Sequence, residues 1–576
     1  MAHEYRPVRT GPPPGPVVLP CTAVGTPLAL YALALVVRLV LLAGFPDPAY
    51  PDSSYYVDVA QGLAAGSGFQ VNAVWIFAEV GGTIPAIPVL PIPSNAHWMP
   101  LASLVQVPFI WLLGPTALAS ALPFALLGGL VAPLTWAFAR DAGATRLVAA
   151  GAGVLVAIPA ASAVFMAQPD NFGLYQPLVA AALWMGARGL RGHPRSFALG
   201  GLLVGLATLA RNDGVLVGAA LALAFAWDRW RAWRSGGARR PAIPAWAAAA
   251  CFALFVAVVA PWVARQLAVF GSLSPSSASG KVLFIRSIDE WNSIATPANL
   301  EWLLGQGVGP LVASRIGGLV AALEIFVILV GGVLLAPFMV IGGWARRRSV
   351  AFGPFFAYAA LLFAFSTLVS AVHVPGGTFI HSAVALAPHA YVLALEGIAV
   401  TVGWAAARRR TWHAPSATRF FSLAAIGLAA LLAIGSALVT QAGWAARRDD
   451  FQLVAGGLVD AGAAPDDRVM SIDASGTLHW TGHGGVVLVN DPLATIEEVA
   501  RAYDIRWLVL NRADTVASVA PILDGGPRPP WLGAPVASRP TRGLPGAAPL
   551  PAGAVGVGLY PVCLDLADTR CATVTP

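Results

Sequence analysis

The sequence predicts an all-α polytopic membrane protein with a small α/β domain toward its C-terminal end. Three observations predict it. Apolar stretches of spanning length recur between residues 27 and 440, arginines gather in short clusters between those stretches, and strand-like runs flank one helical pattern after residue 446.

The 576 residues are 57% hydrophobic and only 11% charged, and the mean hydropathy is +0.71. A soluble domain carries about a quarter charged residues, so a soluble globule is excluded. The formal charge of +7 is almost all arginine, since Lys281 is the only lysine. Because the arginines sit between apolar segments, they read as loops facing anionic lipid, with no basic face for nucleic acid.

Residues 1–25, rich in Pro, Gly and Arg, read as a disordered cytoplasmic tail. Thr26–Phe45 is long enough to span and has no small-residue cleavage pattern after it, so it reads as a retained anchor. Further spans are expected near 117–139, 146–166, 172–188, 242–264, 317–343, 351–373, 379–404 and 418–440. Two regions are ambiguous, 98–114 and 196–228, the latter interrupted by Arg211-Asn212-Asp213.

The positive-inside rule arbitrates. All the clusters (Arg140/Arg146, Arg188/Arg191/Arg195, Arg229 to Arg240, Arg346–Arg348, Arg408–Arg410) face one side if 98–114 does not cross and 196–228 forms two short spans. That arrangement has about eleven spans in a plasma (inner) membrane, with the N-terminus cytoplasmic and the C-terminus extracytoplasmic. The transmembrane domain then covers 26–445, with outer loops 45–116 and 265–316, and 446–576 forms an extracytoplasmic α/β domain. Within it "RVMSID", "GVVLVN" and "RWLVLN" read as strands, "LATIEEVARAY" as a helix, and 526–553 as a Pro/Gly-rich stretch. Cys21 and Cys251 fall near or within spans, where a buried thiol is the plain reading. A disulfide between Cys563 and Cys571 would require an oxidising, extracytoplasmic setting.

Candidate chemistry gathers at the expected outer face. Asp52 opens "PDSSYYVDVAQGLAAGSGF", where it suits either an N-cap for a helix running to about Ala65 or a general base. Asp170, in Pro169-Asp170-Asn171, poses the same choice on the same face, and two converging carboxylates suit general-base work or a divalent cation. Arg211 pairs locally with Asp213 or binds phosphate, for which its planar fork is fitted. Arg265, Lys281 and Arg286 punctuate a Gly- and Ser-rich loop that reads as solvated or as a phosphate cradle. His97 reads as an interfacial residue, and His373, His381 and His389 show no metal-ligand spacing. No Walker loop, nucleophile elbow or helical zinc motif is present.

"PDSSYYVDVAQGLAAGSGF", "HWMPLASLVQVPFIWLLG", "GGLLVGLATLARNDGVLV" and "ARQLAVFGSLSPSS" together resemble, in order, the landmarks of the C-type (GT-C) membrane glycosyltransferases. The branch resembled contains protein O-mannosyltransferase-like enzymes and the aminoarabinose transferase of lipid A. Asp52, Tyr55 or Tyr56, Ala60 and Gly66/Gly68 match the family's first-loop pattern, and His97-Trp98-Met99-Pro100-Leu101 resembles its His/Lys-Pro-Pro-Leu element. The chain departs at Ser53, where a Glu is frequent, at the single proline, and around Phe379-Ile380-His381, where the branch has Arg-Tyr.

The resemblance implies a polyprenyl-phosphate-linked sugar as donor and a lipid, glycan or protein hydroxyl as acceptor, joined with inversion. Asp52 would be the base, assisted by Asp170, and these two would hold any divalent cation. Arg211, Arg265 and Lys281 would face the donor phosphate, with Tyr55, Tyr56, Glu79, His97 and His381 in the acceptor and sugar pocket. A transporter or flippase for a lipid-linked sugar, and a GT-C scaffold without catalysis, stay open as alternatives.

Overall fold

A computed structural model of the chain describes residues 22–236, 238–370, 378–409, 411–540, 554–565 and 568–571. Residues 1–21 of the expected disordered tail, including Cys21, lie outside them, as do His373, Arg410 and residues 541–553. The first helix already begins at Thr22.

Among the described residues, seven helices are long and apolar enough to cross a membrane. They are Gly25–Gly44, Ala117–Asp141, Ala245–Phe270, Val308–Val330, Val350–Val369, Phe379–Ala406 and Ala414–Asp460. The pair Arg146–Ala157 and Ala160–Ala167, bent by 56°, makes an eighth if it counts as one span. The chain is a multi-pass membrane protein.

The expected total was larger because three further helices of the bundle fall short of these criteria. Gln176, Pro177 and Arg188 dilute Phe172–Leu190, Pro194–Ala210 has 17 residues, and Val215–Arg234 ends in the polar run "WDRWRAWR". Between the last two the chain turns at Arg211-Asn212-Asp213. The stretch 98–114 forms only the short apolar helix Leu101–Leu113. The single span expected at 317–343 is broken after Val330, where Gly332 and Val333 take positive φ, and resumes as Ala336–Arg346. The second long loop accordingly ends at 307, nine residues before the expected bound of 316, as the helix starts at Val308.

Small residues let the helices approach. A Cβ on Gly342 would lie 1.9 Å from the Leu393 carbonyl oxygen, and one on Gly397 would lie 2.0 Å from that of Phe338. This reciprocal contact locks Ala336–Arg346 against Ala387–Ala406, as small residues do where lipid supplies no hydrophobic drive between helices.

The C-terminal domain contains most of a six-stranded sheet. In chain order the strands of the protein are β1 (Gln70–Val71), β2 (Ala73–Val74), β3 (Ile92–Pro93), β4 (Arg468–Ser471), β5 (Gly485–Val487), β6 (Ile505–Asn511), β7 (Ala537–Pro540) and β8 (Val555–Pro561). The sheet order is β2-β5-β4-β6-β8-β7, while β1 pairs with β3 apart from it. Strands β2, β5, β4 and β6 run parallel. Their cores, Val486, Val487, Leu508 and Leu510, are fully buried apolar residues, as a sheet covered on both faces requires. Helix Leu493–Ala502 makes the crossover from β5 to β6.

The boundary expected at 446 is crossed twice. Helix Ala414–Asp460 runs unbroken through it for 47 residues, about 70 Å at 1.5 Å per residue. Strand β2 of the first long loop completes the sheet of the distal domain by pairing with β5. Cys563 and Cys571 are disulfide-bonded.

Candidate functional site

A cavity of about 900 Å³ lies between the helical bundle, both long loops and the C-terminal domain. Asp52, Tyr56, His97, Arg211 and His381 line it together with Trp98, Asp213, Ser276, Ser279 and Arg447.

Asp52 stands in the first turn of helix Pro51–Ala64. The capping role considered for it belongs to Ser53. The Ser53 hydroxyl accepts from the Ala49 and Tyr50 amides at 2.9 and 3.1 Å and donates to the Tyr50 carbonyl at 2.8 Å. The Asp52 carboxylate turns instead across the cavity, where Oδ1 accepts from Trp98 Nε1 at 3.0 Å.

The turn 168–171 is bound to the same entry segment. Gln168 Oε1 accepts from the Ala49 amide, the Tyr50 hydroxyl donates to Asp170 Oδ2 at 2.9 Å, and Asn171 Nδ2 donates to the Tyr56 hydroxyl at 3.4 Å. Asp170 Oδ1 accepts from the Asn171 amide at 2.5 Å. These ties bring Asp170, fully buried, beside half-buried Asp52.

His381 completes the group. Its ring stacks on Phe172 at 4.6 Å, with Nε2 3.9 Å from Asp52 Oδ2 and Nδ1 3.9 Å from Asp170 Oδ2. One ligand atom from each of Asp52, Asp170 and His381 lies within 4.8 Å of the others. Two carboxylates and an imidazole form a donor set that divalent zinc or manganese accepts.

The electrostatics of the carboxylates follow from that crowding. Burial first, and then the Asp52 carboxylate, push Asp170 up to about 7, against the Asn171 amide, the Tyr50 hydroxyl and Arg211. Burial also raises Asp52, opposed by the Trp98 hydrogen bond and Arg211. Two carboxylates this close cannot both ionise freely, so a proton shared between them, or a cation, relieves the pair.

Arg211 caps helix Pro194–Ala210. Its Nε donates to Asp213 Oδ1 and to Ser382 Oγ, each at 3.1 Å, and the Ser382 hydroxyl donates to Asp213. The local ion pair therefore forms and also lines the cavity. Burial and Arg211 hold the His97 imidazole down at about 4, so it is neutral near pH 7. Its Nδ1 lies 2.9 Å from Ser279 Oγ.

Other expected site residues are not on the cavity wall. Tyr55 stacks behind Trp98 at 4.1 Å, donates to Glu79 Oε1 at 2.5 Å and accepts from the Asn95 amide at 2.7 Å. Tyr55 and buried Glu79 are therefore internal struts of the first loop. Arg265 is spent on loop packing: Nη2 donates to the Ser94 carbonyl at 2.8 Å, and its guanidinium lies over the rings of Phe69 and Trp262. Lys281 donates to the Ser293 carbonyl. Both cations were expected at the donor phosphate, but their partners are backbone carbonyls outside the cavity.

Sequence reasoning missed Tyr50, Trp98 and Ser382 as site residues, and missed Arg447, which pairs with Asp473 at 3.0 Å and with Asp514. Trp98 was visible inside the His97 element. His381 was placed in a pocket, but its approach to two aspartates from distant segments left no spacing to find.

No family model and no curated protein sequence matches the chain. Solved structures do. ArnT from Cupriavidus metallidurans bound to undecaprenyl phosphate is 15% identical, with a TM-score of 0.52 over 86% of this chain and 96% of that one. The Archaeoglobus fulgidus oligosaccharyltransferase in the apo form is 13% identical, with a TM-score of 0.52 over 85% of this chain and 69% of that one. Its complex with Zn and sulfate is likewise 13% identical, at 0.50 over 84% and 67%. At these identities the likeness is one of fold, and the fold is of the kind the sequence motifs resembled.

Proposed function

We propose that the protein is a membrane glycosyltransferase that moves a sugar from a polyprenyl-phosphate-linked donor onto an acceptor hydroxyl. The observation that carries this reading is the convergence of Asp52, His381 and Arg211 on one cavity at the edge of the bundle, with buried Asp170 grouped behind Asp52 and His381. The fold it shares with a structure bound to undecaprenyl phosphate supports the donor class.

Asp52 accepts the proton of the acceptor hydroxyl as that oxygen bonds to the anomeric carbon. The bond from that carbon to the phosphate oxygen breaks, and its electron pair leaves with polyprenyl phosphate. Attack from the side opposite the phosphate inverts the anomeric centre. Arg211, the expected phosphate-binding residue that does line the cavity, stabilises the charge on the departing phosphate. Asp170 raises the proton affinity of the pair and positions Tyr50 and the entry segment. A divalent cation held by Asp52, Asp170 and His381 would add electrostatic stabilisation of oxygen anions. The cavity side faces out of the cytoplasm in this reading, which the Cys563–Cys571 disulfide supports.

The test is release of polyprenyl phosphate from a panel of polyprenyl-phosphate sugars, using full-length protein in nanodiscs with envelope extract as acceptor. Asp52→Asn should retain donor binding and lose turnover by a factor on the order of 10³. Equal turnover of variant and wild type would remove Asp52 from the base role.

A further inference from the structure

Five aromatic rings close a circuit on the cavity wall. Trp98 meets Trp75 at 5.7 Å, Trp75 meets Phe77 at 5.8 Å, and Phe77 meets Trp291 at 5.5 Å. Trp291 meets His97 at 5.2 Å, and His97 returns to Trp98 at 5.0 Å. All five residues line the same cavity. Trp75, Phe77, His97 and Trp98 come from the first long loop, and Trp291 comes from the second.

The polar edges of the circuit are fixed. Trp98 Nε1 donates to Asp52, Trp75 Nε1 donates to Ser475 Oγ at 2.8 Å, and His97 Nδ1 meets Ser279 Oγ. Asn171, Asn212, Ser276 and Asn292 line the cavity as well. An apolar aromatic wall with a rim of hydroxyls and amides matches a sugar ring, whose C–H face is weakly positive and whose edge carries hydroxyls. A prenyl chain would leave that rim unsatisfied.

We propose that Trp75, Phe77, His97, Trp98 and Trp291 form a saccharide subsite that grips the transferred sugar of the donor and disfavours an acidic one. The inference rests on the transferase reading and adds the substrate class. Its side of the cavity follows from Asn212, the neighbour of Arg211, whose side-chain amide reaches Ser279 Oγ at 3.5 Å while that hydroxyl meets His97 Nδ1 at 2.9 Å, so the ring circuit adjoins the residue assigned to the donor phosphate. The Trp98 bond then holds the Asp52 carboxylate against the same sugar. A uronic acid would meet that carboxylate as a like charge.

Binding tests this without turnover. Full-length protein in nanodiscs is titrated with bare polyprenyl phosphate, with polyprenyl phosphate carrying a neutral hexose or a uronic acid, and with the lipid-free hexose. Wild type should bind the neutral hexose form about tenfold more tightly than the bare lipid or the uronic acid form, a gain over the bare lipid that Trp291→Ala removes and Trp291→Phe largely keeps. Affinity for the bare lipid should be the same in all three proteins. Equal binding of bare and glycosylated lipid by wild type overturns the subsite, and so does equal loss of both in Trp291→Ala. A gain seen only with a lipid-free saccharide overturns its assignment to the donor. Absence of transfer with the hexose gain intact would sink the reaction and leave the subsite standing.

Discussion

Both long loops wall the cavity, but the first, residues 45–116, is fastened to the distal sheet by a strand, whereas the second, residues 271–307, adds no strand to it. In the first, Tyr55, Val59 and Ala60 are fully buried, the Tyr55–Glu79–Asn95 network holds its interior, and β2 is hydrogen-bonded into the distal sheet. Asp58 on the helix that carries Asp52 also meets His479 of the distal domain at 3.3 Å. In the second loop Leu273 and Leu300 are exposed, and its ties to the rest of the protein include Ser276 and Ser279 to His97, the Ala278 amide to the Ala96 carbonyl, the Asn490 amide to the Asn292 carbonyl, and Asp491 to the segment 293–295. Asp52, the proposed base, therefore sits on the side tied into the distal sheet, where electrostatic work needs fixed dipoles. The second loop, with exposed Leu273 and Leu300 and no strand in the sheet, has the contact pattern of segments that open locally at lower free energy.

Substitutions can break or sharpen this contrast. After Asp52, the largest effect is expected at Arg211, which the bundle holds through Asp213 and Ser382. Arg211→Ala should lower kcat by about 10² to 10³, and Arg211→Lys should recover only part of it, since a point charge replaces a planar fork. An unchanged kcat with either variant would place the phosphate elsewhere.

Asp170 comes next. Asp170 holds its proton until pH rises through about 7, and once ionised it strengthens the neighbouring Asp52 as a proton acceptor, so turnover should climb across that pH. In Asp170→Asn the like charge is gone, and the rising limb should move to lower pH. A limb that stays in place would uncouple Asp170 from the base.

In the second loop, Asp491→Ala frees the amides of Ile294 and Ala295. It should raise KM by about fivefold while kcat changes little. A fall in kcat of the size seen for Arg211→Ala would mean that the second loop takes as direct a part in the chemistry as the first.

The smallest effect is expected at Glu79, inside the first loop. Burial raises its carboxyl to about 8, with the Tyr55 hydroxyl opposing. Since the folded pKa lies above the unfolded value, its contribution to stability is complete below the unfolded carboxylate range and fades as pH rises through about 8. Glu79→Gln should abolish that alkaline loss, a difference of a few degrees in Tm between pH 7 and pH 9. Identical pH dependence in both proteins would contradict burial as the cause.

Much of this architecture was legible because it depends on local pattern. The helix after Asp52, the turn at Arg211 and the three strands at 468, 485 and 505 all lie where hydropathy and propensity put them. What stayed hidden depends on distance. Ser53 displaces Asp52 as the cap through contacts within four residues, yet periodicity cannot distinguish which of two adjacent polar residues turns inward. Arg265 looked free for phosphate because sequence does not record that Phe69 and Trp262 fold over it. The meeting of His381 with Asp52 and Asp170 joins three segments whose only common property is the space they enclose.

The pairing of Ala73–Val74 with Gly485–Val486 also sets an order of assembly. The segment that presents the base is made early, but its last strand contact is supplied by a part of the chain made hundreds of residues later. A nascent or truncated chain that stops short of Gly485 can embed its helices and still lack the partner that sets the loop in place. The fold thus behaves as a completeness check, in which the earliest part of the site matures only when the last domain has folded onto it.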